Sequence, residues 1–395
     1  MKHLISDCRL VLPDREFDGS LLIHTSQIMA IEEKISAPSD AKLHCFDGDF
    51  IIPGLIDTHV HGAGGFDVMD GTKESLDGLR HALLTVGTTA FLATTISSPL
   101  EQLYQALHTV QAASHSNNVS ETASAELIGV HLEGPLLSTA YKGSHIPEYI
   151  TPPSATEDCQ LLTNILQTFP NLVRLITAAP ERPGSKEFAL LCRRHQIIAA
   201  AGHTSADYNQ MQQAACWGFS RLTHSFNAMP GIHHRQPGPI TATLLHPDIE
   251  MEIIADGVHV HPAVIETALR LKSPEKITLI SDGTRAVAMP DGEYELGGQR
   301  TFVSGGMARL ADGTIAGSAY PLLQGVRTLV NTLGHSLSEA VRFASLNPAK
   351  RFKLDHRLGS LECGKEATFL RLDKTLQLKE VWVQGQKIYE KKHAL

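Results

Sequence analysis

His59 and His61 stand at the close of the apolar run IIPGLIDTHV, just ahead of the glycine-rich GAGG, and their spacing suits metal chemistry. A strand alternates its side chains with period two, so both imidazoles leave one face, where a single ion or an adjacent pair could be held. Ordinary half-exposed strands carry the same pattern, so the pair gains weight only in company. That company lies along the chain. Glu133 ends LIGVHLE before Gly134-Pro135, His203 follows IIAAAG, His224 ends SRLTH and Asp282 lies in ITLISDGT. A carboxylate at a strand end is costly to desolvate unless it meets a cation, either a metal or an arginine. Imidazoles with a carboxylate form a zinc-type ligand set. Asp282 beside a divalent ion would stay ionised, able to take a proton from a metal-activated water and pass it to a leaving group, or else it would cap the following segment. His131, on the same pleat face as Glu133, reads as a satisfied core histidine.

Bringing these residues together requires a particular architecture. Short apolar runs alternate with amphipathic stretches from about residue 50 to about residue 345, the pattern of repeated β-α units. Eight candidate strands are IIPGLIDTHV, TTAFLATT, LIGVHLE, LVRLITAAP, IIAAAGH, SRLTHSF, MEIIADG and KITLISDG. Segments such as ESLDGLRHALLTVG, LLTNILQTFP, EFALLCRRHQ, YNQMQQAACWG and PAVIETALRLK carry apolar residues at helical spacing. An open doubly wound sheet shares these signals. The polar residues, however, fall at the ends of strands one, three, five, six and eight, which converge on one mouth only if the sheet closes. The expected fold is therefore α/β: a (β/α)8 TIM-like barrel over residues 51–354, with a small β-sandwich domain formed by both chain ends, residues 1–50 and 355–395. The glycine-punctuated segment DGEYELGGQRTFVSGGMARLADG is expected to form β-hairpins near the mouth.

Composition narrows the class. With 395 residues, 42% of them hydrophobic and 19% charged, the chain reads as an ordinary globular protein rather than a disordered one. A formal net charge of -8 argues against a broad grip on nucleic acid or anionic lipid, so an anionic ligand needs a local cationic pocket. No apolar run approaches the roughly 20 residues of a spanning helix and no export signal is visible, which predicts a cytoplasmic protein without membrane partners. The six cysteines form no C-x-x-C pair and are expected to be reduced and mostly buried.

The ordered set THVHGAGG, HLEGP, KGSH, AGHT, THSFNAM, HHRQPG, ADGVH, SDGTRAVAMPDGEYELGG and AGSAYPL resembles the N-acetylglucosamine-6-phosphate deacetylase family of the amidohydrolase superfamily over nearly the whole chain. The resemblance implies that Glu133, His203 and His224 are metal ligands, with His59 and His61 available for a second ion. Some members carry Gln and Asn at those two positions and bind one ion, so one or two ions per subunit are open. It implies Asp282 as the catalytic aspartate and His145 as the histidine polarising the acetyl carbonyl. Asn227 and Ala228 match the sugar-contacting pair, and Ile315, Ala316 and Gly317 a substrate-lining loop. Arg235 and His259 match phosphate-binding groups, the arginine reaching the neighbouring active site of a homodimer. Related hydrolases bridge two metals with a carboxylated lysine at the end of strand four; LVRLITAAPE has none, which leaves Glu133 as the bridge.

The implied reaction is metal-dependent hydrolysis of the acetamide of N-acetylglucosamine 6-phosphate to glucosamine 6-phosphate and acetate. Zinc is the first choice of ion, with Fe, Co, Ni or Mn as alternatives. The nearest rival is the same deacetylation of N-acetylgalactosamine 6-phosphate. A dihydroorotase-like cyclic amidase lacks its strand-four lysine, and a metal-free scaffold of this fold would lack ligands that are all present.

Overall fold

A computed structural model describes residues 1–114 and 124–391. Eight parallel strands, Leu55–Val60, Thr88–Thr95, Glu126–Glu133, Val173–Ala178, Ile198–Ala201, Phe219–Leu222, Glu250–Ile254 and Ile277–Ile280, pair in sequence order. Helices cover their outer faces, so a strand such as TTAFLATT is buried along its whole length. Eighth and first strands meet at their C-terminal ends: Asp282 N donates to His59 O at 2.9 Å and His61 N to Gly283 O at 2.8 Å. Asp57 reinforces this seam, one carboxylate oxygen accepting from His59 N at 3.2 Å and from Ser281 N at 3.3 Å. The barrel thus shuts through the backbone of residues expected to form its site.

Local sequence sets the helix ends. Thr72 caps Lys73–Thr85, Ser154 caps Ala155–Thr168, and Asp207 with Gln210 forms a reciprocal capping box on Tyr208–Trp217. Helices Leu100–Ser114 and Gly238–Leu245, which were not singled out by periodicity, complete the outer layer together with those that follow the eighth strand.

The run IIPGLIDTHV, expected as one strand, is two. Phe50–Pro53 belongs to an outer sheet and Leu55–Val60 to the barrel, the break falling at Gly54, where a Cβ would lie 2.2 Å from Thr89 Oγ1. The outer sheet joins both chain ends, as expected: Phe369–Leu372 pairs antiparallel with Phe50–Pro53, which runs parallel to Lys2–Val11. Its core gathers Ile5, Leu10, Leu21, Ile23, Phe369 and Trp382, and residues 392–395 of the expected range lie outside the described residues. The glycine-rich segment forms the expected hairpins, Gly292–Leu296, Gln299–Ser304 and Met307–Leu310, and a strand just beyond it, Ile315–Ser318, extends them into a four-stranded antiparallel meander and donates Ser318 N to Asp282 O at 2.8 Å.

Cysteine burial departs from expectation. All six thiols are free, yet only Cys8 and Cys192 are buried while Cys45, Cys216 and Cys363 are exposed, Cys45 donating to Asp7 Oδ2 at 3.1 Å. Among the described residues no helix is long and apolar enough to cross a membrane.

His335 links two outer helices, its Nδ1 2.8 Å from Glu339 Oε2 and its Nε2 2.8 Å from Glu266 Oε2. Burial lowers its pKa, but the two carboxylates more than offset this and raise it above the usual 6.5. The stabilisation is complete below the unfolded value and is lost as pH rises through the raised one. The difference in Tm between wild type and His335→Gln should therefore be largest below the ordinary imidazole value of 6.5 and shrink as pH rises above it; a pH-independent difference would contradict the pairing.

Candidate metal centre and active site

Glu133, the last residue of its strand, is the hub. Its Oε1 lies 3.0 Å from His224 Nε2, 3.2 Å from His203 Nε2 and 3.4 Å from His59 Nε2. Its Oε2 lies 3.2 Å from His61 Nε2 and 3.6 Å from His145 Nε2. Asp282 Oδ1 completes the group, 3.4 Å from His59 Nε2 and 3.3 Å from His61 Nε2. His203, His224 and Asp282 each sit two residues beyond a strand end with positive φ, 45°, 26° and 50°. Such backbone is costly for a non-glycine residue and persists only where the surroundings enforce it. Here it turns three side chains inward over the barrel.

Hydrogen-bond partners behind the ring fix which nitrogens face the centre. His203 Nδ1 donates to Tyr141 O at 2.9 Å, so Nε2 presents a lone pair, 2.9 Å from His224 Nε2. His59 Nδ1 donates to Glu252 Oε2 at 3.4 Å, which leaves its Nε2, without a hydrogen-bond partner among the described residues, facing Glu133 and Asp282. With neutral rings, lone pairs and carboxylate oxygens converging this closely repel unless positive charge, a metal ion or protons on the imidazoles, lies among them. His59, His61 and Glu133 form one group able to hold an ion, and Glu133, His145 and His203 another. The donor set of imidazole and carboxylate fits a divalent metal.

Charge follows geometry. Burial would raise the pKa of Glu133, but the surrounding histidines, His59 foremost, hold it well below the usual carboxylate range. Burial is likewise overcome at Asp282, where His59 and His61 hold the carboxyl below that range. Desolvation alone would lower His61, yet Asp282 and Glu133 bring it up to about 9. His145 differs: burial and the nearby His203 pull it down to about 4. The Ser97 backbone N–H donates to its Nδ1 at 3.2 Å, so neutral His145 carries its proton on Nε2 and offers a donor at the centre.

These groups open into a cavity of about 510 Å³, lined also by Asn227, Ala228, His259, Ile315 and Gly317. His259 Nδ1 lies 2.7 Å from Asp256 Oδ2; burial lowers the imidazole and Asp256 raises it to a net upward shift, while its Nε2 has no partner among the described residues. Ala316 is not part of the lining: strand alternation turns it into a core with Ile96, Leu296 and Leu310. Arg235 is exposed, outside the cavity, with Nη1 2.7 Å from His234 Nε2. His131 donates to or accepts from Thr177 Oγ1 at 2.7 Å and packs edge-on to His59, as a core histidine.

Sequence reasoning missed the layer beneath. Arg221 is fully buried, 2.9 Å from Glu252 Oε1 and 2.8 Å from Glu250 Oε2. A detectable signal existed, since Glu250 and Glu252 alternate within an otherwise apolar strand and so share one face. Lys142, Asp312 and Thr314, which also line the cavity, carried no such signal.

A (β/α)8 barrel with imidazoles and carboxylates at its C-terminal mouth is the architecture of metal-dependent hydrolases. The chain belongs to the amidohydrolase family, whose model matches residues 50–388. It is 36% identical over 340 residues to the N-acetylglucosamine-6-phosphate deacetylase of Vibrio furnissii, covering 86% of this chain and 83% of that one. It is 33% identical over 386 residues to the N-acetylgalactosamine-6-phosphate deacetylase of Escherichia coli O157:H7, covering 98% and 99%. Among solved structures, a mutant N-acetyl-D-glucosamine-6-phosphate deacetylase from Mycobacterium smegmatis in complex with N-acetyl-D-glucosamine-6-phosphate superposes with a TM-score of 0.88, at 31% identity and with coverage of 98% and 99%.

If the converging acceptors need a cation, metal should stabilise the fold. Adding a binding divalent ion to the stripped protein at a thousandfold excess over Kd should contribute about 4 kcal/mol, read as a rise in Tm. Glu133→Gln should lose most of that rise; an unchanged rise would place the ion elsewhere.

Proposed function

We propose that the chain hydrolyses the acetamide of N-acetylglucosamine 6-phosphate, releasing acetate and glucosamine 6-phosphate. The carrying observation is the convergence of His59, His61, His203 and His224 on Glu133, with ionised Asp282 at the cavity floor. Glu133, His203 and His224 would hold one divalent ion, zinc by preference, and His59 and His61 with Glu133 as bridge a second. A bound ion supplies Lewis acidity, acidifying water and polarising the amide carbonyl.

The protein's own groups move the protons. Asp282, ionised at neutral pH, accepts a proton from the water that attacks the carbonyl carbon. As the carbon–nitrogen bond breaks, it returns that proton to the departing amine. His145 Nε2–H donates to the carbonyl oxygen, where negative charge develops only on the way to the tetrahedral intermediate. Asn227 and Ala228 would contact the sugar beside Ile315 and Gly317, with Ala316 supporting that strand from the core. His259, its proton secured by Asp256, would bind the phosphate with Arg235 supplied by the partner of a homodimer. That division explains why Arg235 lies exposed in the single chain. The reading places the enzyme in the cytoplasm. N-acetylgalactosamine 6-phosphate is a second reading, favoured by the match to the E. coli relative along almost its whole length.

Asp282→Asn should retain bound metal yet lose turnover by about 10²- to 10⁴-fold in an acetate-release assay; near-wild-type turnover would remove the residue from this role. Arg235→Ala and Asp282→Asn homodimers should both be feeble, whereas co-refolded mixtures should regain turnover, since one site then combines an intact Asp282 with an intact partner arginine. Failure of the mixture to recover would contradict a shared site. Acetate release from both epimeric sugar phosphates and from unphosphorylated N-acetylglucosamine measures the sugar and phosphate preferences; equal turnover without phosphate would overturn the assignment of His259 and Arg235.

A further inference from the structure

Glu252 lies within the seventh barrel strand, Glu250–Ile254, fully buried below the histidines and outside the cavity lining. Its contacts reach both halves of the centre. Oε2 is 3.4 Å from His59 Nδ1 and 3.3 Å from the backbone nitrogen of His224, while Oε1 accepts from Arg221 Nη1 at 2.9 Å. We infer that Glu252 is a positioning residue that determines whether the His59–His61 half of the centre retains its own metal ion, an inference resting on the two-ion reading above.

A carboxylate only accepts, so Glu252 fixes the His59 proton on Nδ1 and makes Nε2 the lone pair presented to Glu133 and Asp282. Among the described residues no other side chain takes that proton. His203 depends on a different anchor, the Tyr141 carbonyl, and Glu252 reaches the Glu133–His203–His224 half only through the backbone nitrogen of His224, not through a ligating imidazole.

The neighbouring arginine makes this choice unusually sensitive to chemistry. Arg221 carries only donors, so an amide at position 252 must turn its oxygen toward the guanidinium. Its NH₂ then faces His59, which must offer a lone pair at Nδ1 and carry its proton on Nε2, the atom needed for the metal. E252Q preserves volume but imposes the wrong tautomer. E252D preserves the charge opposite Arg221 but draws the oxygen away from His59.

Direct titration of the metal-stripped, full-length protein with zinc, read by calorimetry and by elemental analysis after dialysis, tests the inference. Wild type should bind two ions. In E252Q the weaker ion should lose about 10- to 100-fold in affinity while the other, touched only through the His224 backbone, loses clearly less, and E252D should fall between. Where E252Q fails to fold, E252D decides. Two ions with wild-type affinities in the folded variants, or both affinities falling alike as a merely structural role would give, overturn the inference alone. A single ion in wild type overturns the two-ion reading and the inference with it, so the two failures are distinct.

Discussion

Burying two ionised carboxylates at the mouth of a barrel is the constraint on which the rest of this structure depends. Glu133 is buried and Asp282 is largely screened from bulk water at the cavity wall, and either would be costly there without a cation. The protein surrounds them with imidazoles whose tautomers are set from behind, by the Tyr141 carbonyl for His203 and by Glu252 for His59. The result is a cage of acceptors that is self-consistent when it holds positive charge. Such an arrangement sacrifices some stability of the empty fold for a preorganised site.

The fold serves this constraint through closure. Residues separated by more than two hundred positions become neighbours because the eighth strand returns to the first, and the seam bonds involve the backbone of His59, His61, Asp282 and Gly283 themselves. Closure and site assembly are thus a single event. The meander adds a further tie to Asp282 and brings Ile315 and Gly317 over the cavity; a Cβ on Gly317 would lie 2.9 Å from Asp282 O.

How much of this was legible in the sequence depended on whether a residue's role was local. Apolar runs ending in His, Glu or Asp announced both the barrel and the rim, because a strand-end polar residue is set by its own segment. Gly54 hid a change of sheet inside one apolar run, since the approach of Thr89 that excludes a side chain there is made by a residue remote in sequence. Glu252 and Arg221 escaped notice because their meaning lies in a cross-strand pair. Ala316 belongs to the substrate-lining stretch by resemblance, yet alternation along Ile315–Ser318 gives the cavity only its neighbours. Arg235, a phosphate-binding group by resemblance, lies on an exposed loop outside the cavity, and no local pattern in its segment distinguishes it from a solvated loop arginine.

Anomalous diffraction at the zinc edge, from crystals of the zinc-loaded protein, tests the central claim most directly. The account predicts a strong peak within bonding distance of Glu133, His203 and His224, with Asp282 adjacent to it. A peak elsewhere, or an empty ring in protein shown by elemental analysis to contain zinc, would contradict it.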